Sequence, residues 1–211
     1  MSFVKKRKVE VDEFFICSDE AYFYLHGGHN IQNDRIWAEF QPNELHETPL
    51  NDEKAMVWCA FSAKKVYGPY FFNENVNSQN YLDMLKKFFW PLHLKVKKRE
   101  KFYFMQDGAS PHRQKDVQTW LKGKFGDRFI DAAHWPPRSP DLNPCDFSLW
   151  GTLKKTVYNP RPKNLEELKE NIKSEFRNLK KSDLKSIFEN LKKRLSILKT
   201  VKGGHIEHWL K

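Results

Sequence analysis

Two stretches, KFYFMQDGASPH at 101–112 and WPPRSPDLNPCDFSLWG at 135–151, decide the fold. Phe102 to Met105 are four apolar residues in a row, short enough to read as a strand covered on both faces. Asp107 falls at its carboxyl end, followed by Gly108. A carboxylate there cannot bury its charge, so it needs water, a partner or a metal. In the second stretch a proline-stiffened loop runs into Asn143-Pro144. Asn suits a helix N-cap and Pro the first helical position, so a helix opens there, through about Val157, with Asp146 in its first turn. Two such carboxylates converging invite a divalent cation.

Outward from this centre, Glu13 to Ser18 reads as a buried strand, and Tyr22 to Leu25 as a partner strand after a tight turn, closed by Gly27-Gly28. Ile36 to Phe40 suggests a short strand and Pro42 to Asp52 a loop. Met56 to Ser62 and Val66 to Phe72 read as a hairpin. Ser78 to Phe89 carries a helical apolar stripe. Phe102 to Gln106 is the next strand, His112 or Arg113 to Lys124 a helix, and Arg128 to Ala132 a short strand. Beyond Pro162, Leu165, Leu168, Ile172, Phe176 and Leu179 mark one amphipathic helix. Leu184, Ile187, Phe188, Leu191, Leu195 and Leu198 mark another. Both are expected to pack on the sheet rather than form a separate domain. Strands first, then helix alternating with strand, predicts an α/β fold: a mixed sheet flanked by helices, with additional C-terminal helices.

The 211 residues suffice for one domain with a sizeable core, and 39% hydrophobic with 15% aromatic content argues for a folded chain. A formal net charge of +10 favours polyanionic partners such as nucleic acid. Cys17, Cys59 and Cys145 stand in unrelated spacings, which points to small buried residues rather than a disulfide or zinc site, and to a reducing, intracellular setting. No apolar run reaches transmembrane length, and the charged N-terminus lacks an apolar signal region. Lys5-Lys6-Arg7-Lys8, within a basic arm spanning residues 1–10, reads as a nuclear-import run or as a phosphate-binding arm.

The wording of several segments is familiar. QDGASPH and HWPPRSPDLNPCDFSLWG, with Cys17-Ser18-Asp19-Glu20-Ala21-Tyr22-Phe23 and Asn30-Ile31-Gln32-Asn33-Asp34-Arg35-Ile36-Trp37 upstream and Gly203-Gly204-His205-Ile206-Glu207-His208 near the end, resemble the catalytic domain of mariner-type DNA transposases. The resemblance covers almost the whole chain in the right order. It implies a ribonuclease H-like domain over residues 11–211 that cleaves phosphodiesters at element ends and joins 3′-hydroxyls to target double-stranded DNA. It also implies a possible homodimer and a nuclear location. The family's helix-turn-helix units find no counterpart in the dozen residues before the first strand, so the chain is expected to be either a fragment of a longer transposase or a degenerate or repurposed catalytic domain that relies on a separate DNA-recognition module or partner.

By the same resemblance Asp19, Asp107 and Asp146 form a metal-binding catalytic triad for two Mg²⁺ ions, replaceable by Mn²⁺, with Asp19 bridging both ions. Each has a plainer reading. Asp19 suits a turn, with Glu20 beside it as the alternative acid on the opposite strand face. Asp107-Gly108 suits a turn, and Asp146 suits a capping box with Asn143. From Asp107 to Asp146 is 39 positions, somewhat longer than in typical mariner enzymes, and the extra residues fall before Trp135. Asp141 is expected to brace the loop. His112 is a DNA contact, a guide for a catalytic water, or a loop brace. Arg113, Arg138, Lys154 and Lys155 are candidate phosphate contacts. Two rival readings stay open: a catalytically idle nucleic-acid-binding remnant, and a metal-dependent nuclease of the same fold that cuts without joining.

Overall fold

The computed structural model describes residues 14–26, 52–131, 139–201, 206 and 209. Five strands, β1 (Phe15–Tyr24), β2 (Lys54–Phe61), β3 (Val66–Phe72), β4 (Tyr103–Met105) and β5 (Phe129–Ile130), lie in the order β3-β2-β1-β4-β5. The first three form an antiparallel meander, while β4 runs parallel to β1 and β5 parallel to β4. This is the mixed sheet that the sequence predicts.

One expectation is overturned at β1. Glu13 to Ser18 and Tyr22 to Leu25 are not two strands about a turn. Phe15–Tyr24 is one ten-residue strand, and Cys17 through Tyr24 pair residue by residue with Phe61 back to Lys54. Ser, Asp and Glu are poor strand formers, so the polar run at 18–20 reads as a break. The neighbouring ladder overrides that local preference. Asp19 therefore sits in mid-strand.

Alternation along β1 divides the molecule into two layers. On one face Phe15, Cys17 and Phe23 join Val57, Cys59, Phe61, Met105 and Ile130 in a single buried cluster. It is covered by α5 (Trp150–Val157), α6 (Leu165–Asn178) and α7 (Lys181–Thr200), through Trp150, Leu153, Leu168, Ile172, Phe176 and Phe188 among others. The C-terminal helices thus share the sheet's own core. On the other face Ile16, Trp58 and Phe104 meet Tyr81, Leu85 and Phe89, and Val117, Leu121 and Phe125. These come from α1 (Ser78–Met84) with the turn after it, and from α4 (Lys115–Phe125). Burying a large apolar side chain contributes roughly 1.5–3 kcal/mol, so the two layers together dominate the stability of the fold.

Helix starts follow their caps. Asn77, one residue before the expected start, accepts from the backbone N–H of Gln79 and Asn80 in a capping box with Asn80. Asn164 accepts from the Glu167 N–H at 2.9 Å, which opens α6. The expected helix at 78–89 continues past Pro91. A π turn at Leu85–Phe89 shifts the bonding to i→i−5, with the Trp90 N–H on the Leu85 carbonyl, and α2 (Trp90–Leu94) follows. The expected helix at 112–124 is two pieces, α3 (Ser110–Arg113) and α4, parted where Gln114 turns extended at φ −64°, ψ 140°. The three cysteines are buried and unpaired, as anticipated. Among the described residues no helix is long and apolar enough to cross a membrane. Gly27-Gly28, the Ile36–Phe40 strand, the loop up to residue 51, Trp135–Arg138, the Lys5–Lys8 arm and most of the Gly203–His208 segment lie outside the described residues.

Candidate active site

The site is assembled by strand register. In the parallel pair Cys17 lies opposite Met105, so continuing both chains by two residues brings Asp19 level with Asp107. Asp19 points toward the α5 layer and Glu20 toward the α3–α4 layer, as alternation requires. Asp146 arrives from a third element, a π turn at Cys145–Leu149 that leads into α5. Such widened turns displace a side chain from the regular helical spacing and are frequent at functional sites.

Asp19 is 6% exposed. Its Oδ2 accepts from the Trp150 indole Nε1–H at 3.0 Å and from the Asn143 Nδ2 amide at 3.1 Å. The same amide donates to Asp146 Oδ2 at 2.9 Å, so Asn143 ties the two carboxylates together. Its Oδ1 meanwhile accepts from the Cys145 N–H at 3.2 Å, the N-terminal role that the sequence suggests. The capping-box reading of Asp146 gives way to this bridge. Burial pushes the Asp19 carboxyl well above the usual range, and the charges of Asp146, Glu20 and Asp107 push it further against the Trp150 hydrogen bond. Asp146 is raised as well, by burial and by Asp107, while Asn143 and Lys154 pull it down.

Asp107 has the opposite balance. Burial would raise it, but His112 and the Ala109 N–H, with the nearby Arg113 guanidinium, hold it below its ordinary value. Its Oδ1 lies 2.6 Å from His112 Nδ1 and 3.0 Å from the Ala109 nitrogen. His112 Nε2 faces Glu20 at 3.2 Å. With a carboxylate on each ring nitrogen, both must donate, so the ring is an imidazolium. Burial alone would lower its pKa; the Glu20 charge and the hydrogen bonds to both acids outweigh this and carry it up to about 10. The ring lies 4.5 Å from that of Tyr81, whose hydroxyl donates to Gln106 Oε1 at 2.8 Å. Gln106 and Gln118 in turn donate to the His112 carbonyl.

His112 is wholly buried and has no surface to offer DNA, which corrects the phosphate-contact reading in favour of the loop brace. Arg113 is exposed, with its guanidinium against Gly108, where an added Cβ would meet Nη2 at 2.9 Å. Lys154 has its ammonium 5.5 Å from the Phe23 ring centroid; lost hydration there lowers its pKa, and the opposing pull of Asp146 is the weaker effect. Lys155 is exposed on α5, and Arg138 lies outside the described residues. The Asp141 loop is braced, through its backbone: Arg194 of α7 donates to the Asp141 carbonyl at 3.1 Å and stacks its guanidinium 4.1 Å from the Phe147 ring.

Sequence reasoning missed the roles of Asn143 and Trp150 toward Asp19. Only the spacing of Asn143 three before Asp146 and of Trp150 four after it hinted that they share its face. Glu20 was weighed only as a rival to Asp19, whereas each serves a different side. Among the described residues no three His, Cys, Asp or Glu side chains stand ready-made round a metal. The donors are nonetheless all hard carboxylate oxygens crowded against one another, the chemistry that suits Mg²⁺ or Mn²⁺.

Comparison with known proteins agrees. The sequence matches the DDE superfamily endonuclease family over residues 15–169. It is 30% identical over 168 residues to the Tc3 transposase of Caenorhabditis elegans, covering 78% of this chain and 49% of that protein. It thus spans about half the length of the curated relatives it matches. The fold is that of the Mos1 transposase catalytic domain solved with raltegravir and Mn, with a TM-score of 0.71, 17% identity and coverage of 98% of this chain and 90% of that one. Mos1 transposase in a paired-end complex with the left transposon end superposes at a TM-score of 0.75, with 18% identity and coverage of 98% and 60%. Sequence and fold together make this chain a member of the DDE superfamily endonucleases.

Proposed function

We propose that the chain is the catalytic domain of a Tc1/mariner-type DNA transposase, which cleaves phosphodiesters at element ends and joins the freed 3′-hydroxyls to target DNA. The observation that carries this reading is the convergence of Asp19, Asp107 and Asp146, from β1, the end of β4 and the π turn: the first two lie level across the parallel strand pair, and Asp19 shares the Asn143 amide with Asp146. In this reading the three are the metal ligands. Divalent cations held there, two of them in the full reading, supply a lowered pKa for the attacking oxygen and charge neutralisation at the leaving one. Trp150 and Asn143 fix the Asp19 carboxylate, Asn143 sets its spacing from Asp146, and His112 holds Asp107 below its ordinary pKa while bridging it to Glu20. Arg113, Lys154 and Lys155 stand at the exposed margin to meet phosphates. The partner is double-stranded DNA, engaged as a homodimer, and the work is nuclear, with Lys5, Lys6, Arg7 and Lys8 as the import run.

Metal-dependent nicking of duplex DNA by the purified chain, beside Asp107→Ala, tests the reading. Mg²⁺- or Mn²⁺-dependent cleavage that disappears in the variant supports it, and strand-transfer products separate a transposase from a nuclease that only cuts. Binding of Mn²⁺ without cleavage would leave the remnant reading standing, whereas no Mn²⁺ binding would refute the triad.

A further inference from the structure

The end of the sheet opposite the acids is strongly basic. The segment before β4, LKVKKREK at 94–101, carries five cations and one acid, and it is exposed throughout except at Val96. The fold brings to it a second segment from far earlier in the chain, the β2–β3 turn with Lys64 and Lys65. Lys64 Nζ lies 5.9 Å and Lys101 Nζ 5.7 Å from the centroid of the same Phe14 ring. Among the described residues Lys95, Lys97, Lys98, Arg99 and Lys101 form no ion pair. On α6 and α7, by contrast, Lys169, Lys173 and Lys185 each pair with a Glu three or four residues away. The crowding is felt: burial and the Lys95 charge both lower the Lys65 pKa. Clustered like charge, as along Lys95 to Lys101, costs stability and is relieved by a polyanion.

We propose that the basic rim formed by Lys64 and Lys101 around Phe14, together with Lys95, Lys97 and Lys98 of the segment before β4, is a second DNA-binding face, which grips the phosphate backbone of duplex DNA at a distance from the acids. Phe14 precedes Asp19 by five residues of extended chain, so the rim and the site lie about 16 Å apart along β1. Duplex DNA is the favoured occupant because it presents dense, regularly spaced charge, one per about 1.7 Å of axis, to a set of lysines spread over two segments, and because it is the substrate in the transposase reading. The inference rests on the transposase reading and assigns that domain a holding surface separate from the cutting one.

The test is binding of a random-sequence duplex in EDTA, by fluorescence anisotropy, between about 50 and 200 mM salt. A rim triple, Lys97→Gln, Lys98→Asn and Lys101→Gln, is compared with a control triple, Lys169→Gln, Lys173→Gln and Lys185→Gln. Asn suits position 98, where φ is +57°. Three lost phosphate contacts reduce the slope of log K against log salt by about 2.7, and weaken binding at least about tenfold at roughly 0.1 M salt. The control triple should change the slope by less than about one, and thermal unfolding verifies that both variants fold. Equal losses in the two triples, or none in either, would overturn the proposal. So would wild-type preference for an acidic peptide over DNA. Rim-dependent binding without any metal-dependent cleavage would refute the transposase reading alone, and cleavage with an unchanged rim slope would refute only the rim.

Discussion

Replacing Asp19 by Asn should make the protein more stable while removing its proposed chemistry. Both Asp19 and Asp146 accept from one amide nitrogen, at 3.1 and 2.9 Å, so their oxygens are no more than about 6 Å apart. At an effective dielectric of about 20, two unit charges at that distance repel by roughly 3 kcal/mol. The amide oxygen that Asp19→Asn introduces would still accept from Trp150 and Asn143, so little is lost in exchange. A net gain of about 1–2 kcal/mol corresponds to a Tm rise of roughly 2–8 °C for a chain of this size. The pH dependence fixes the cause. An unfolded Asp ionises near about pH 3.9, whereas folded Asp19 is held well above that by burial and by its neighbours' charges. The folded state therefore binds more protons, and wild-type stability declines as pH rises from about 4 toward the folded pKa. The advantage of Asp19→Asn should be small at about pH 4 and grow as pH rises toward the folded pKa of Asp19, and Mn²⁺ should erase it by stabilising only the wild type. Scanning calorimetry across pH, with and without Mn²⁺, reads all three effects. A variant less stable than wild type near neutral pH, or an advantage independent of pH, refutes the repulsion argument.

His112→Gln removes a buried cation from between Asp107 and Glu20, and should cost about 3–5 kcal/mol in urea unfolding; a loss under about 1 kcal/mol would mean that the ring is not charged. Phe188→Ala, which takes away a wholly buried ring 5.5 Å from Phe61 of β2, should cost a similar amount, about 3–5 kcal/mol, in a single transition. A separate early transition of the C-terminal helices would contradict the shared core. His93, buried with its Nδ1 3.1 Å from the Tyr67 hydroxyl, has its pKa lowered by burial to about 4. Its folded pKa lies below the unfolded value near about 6.5, so its contribution is complete above that pH and is lost as pH falls toward the folded value. His93→Phe should flatten that acid limb, and an unchanged limb would assign it to other groups.

The placement of Asp107 at a strand end and of Asp146 at a helix start was legible because each follows a local pattern, a short apolar run in one case and Asn-Pro in the other; their grouping as a site came from the family resemblance. The amphipathic helices at 165–178 and 181–200 were equally plain from their spacing. What misled was chemistry placed where secondary structure prefers something else. Ser18, Asp19 and Glu20 interrupt an apolar strand and imitate a turn, while Pro91 hides a helix that a π turn carries through. The partners of the acids stayed hidden for another reason. Trp150 lies 131 residues from Asp19, and His112 lies 92 from Glu20, so their hydrogen bonds follow from the sheet order and from no local rule.

Arg194 gives the site a temporal order. Asp19 and Asp107 are fixed by strand pairing, but the segment bearing Asp146 is steadied from α7, through the Asp141 carbonyl and the Phe147 ring. That brace closes a loop of 53 residues, and loop closure over such separations is entropically costly, so it follows the local helices. Because α7 also supplies Leu184, Phe188 and Leu191 to the core of the sheet, a chain still short of position 194 lacks both the brace of the third acid and part of the packing that holds the other two.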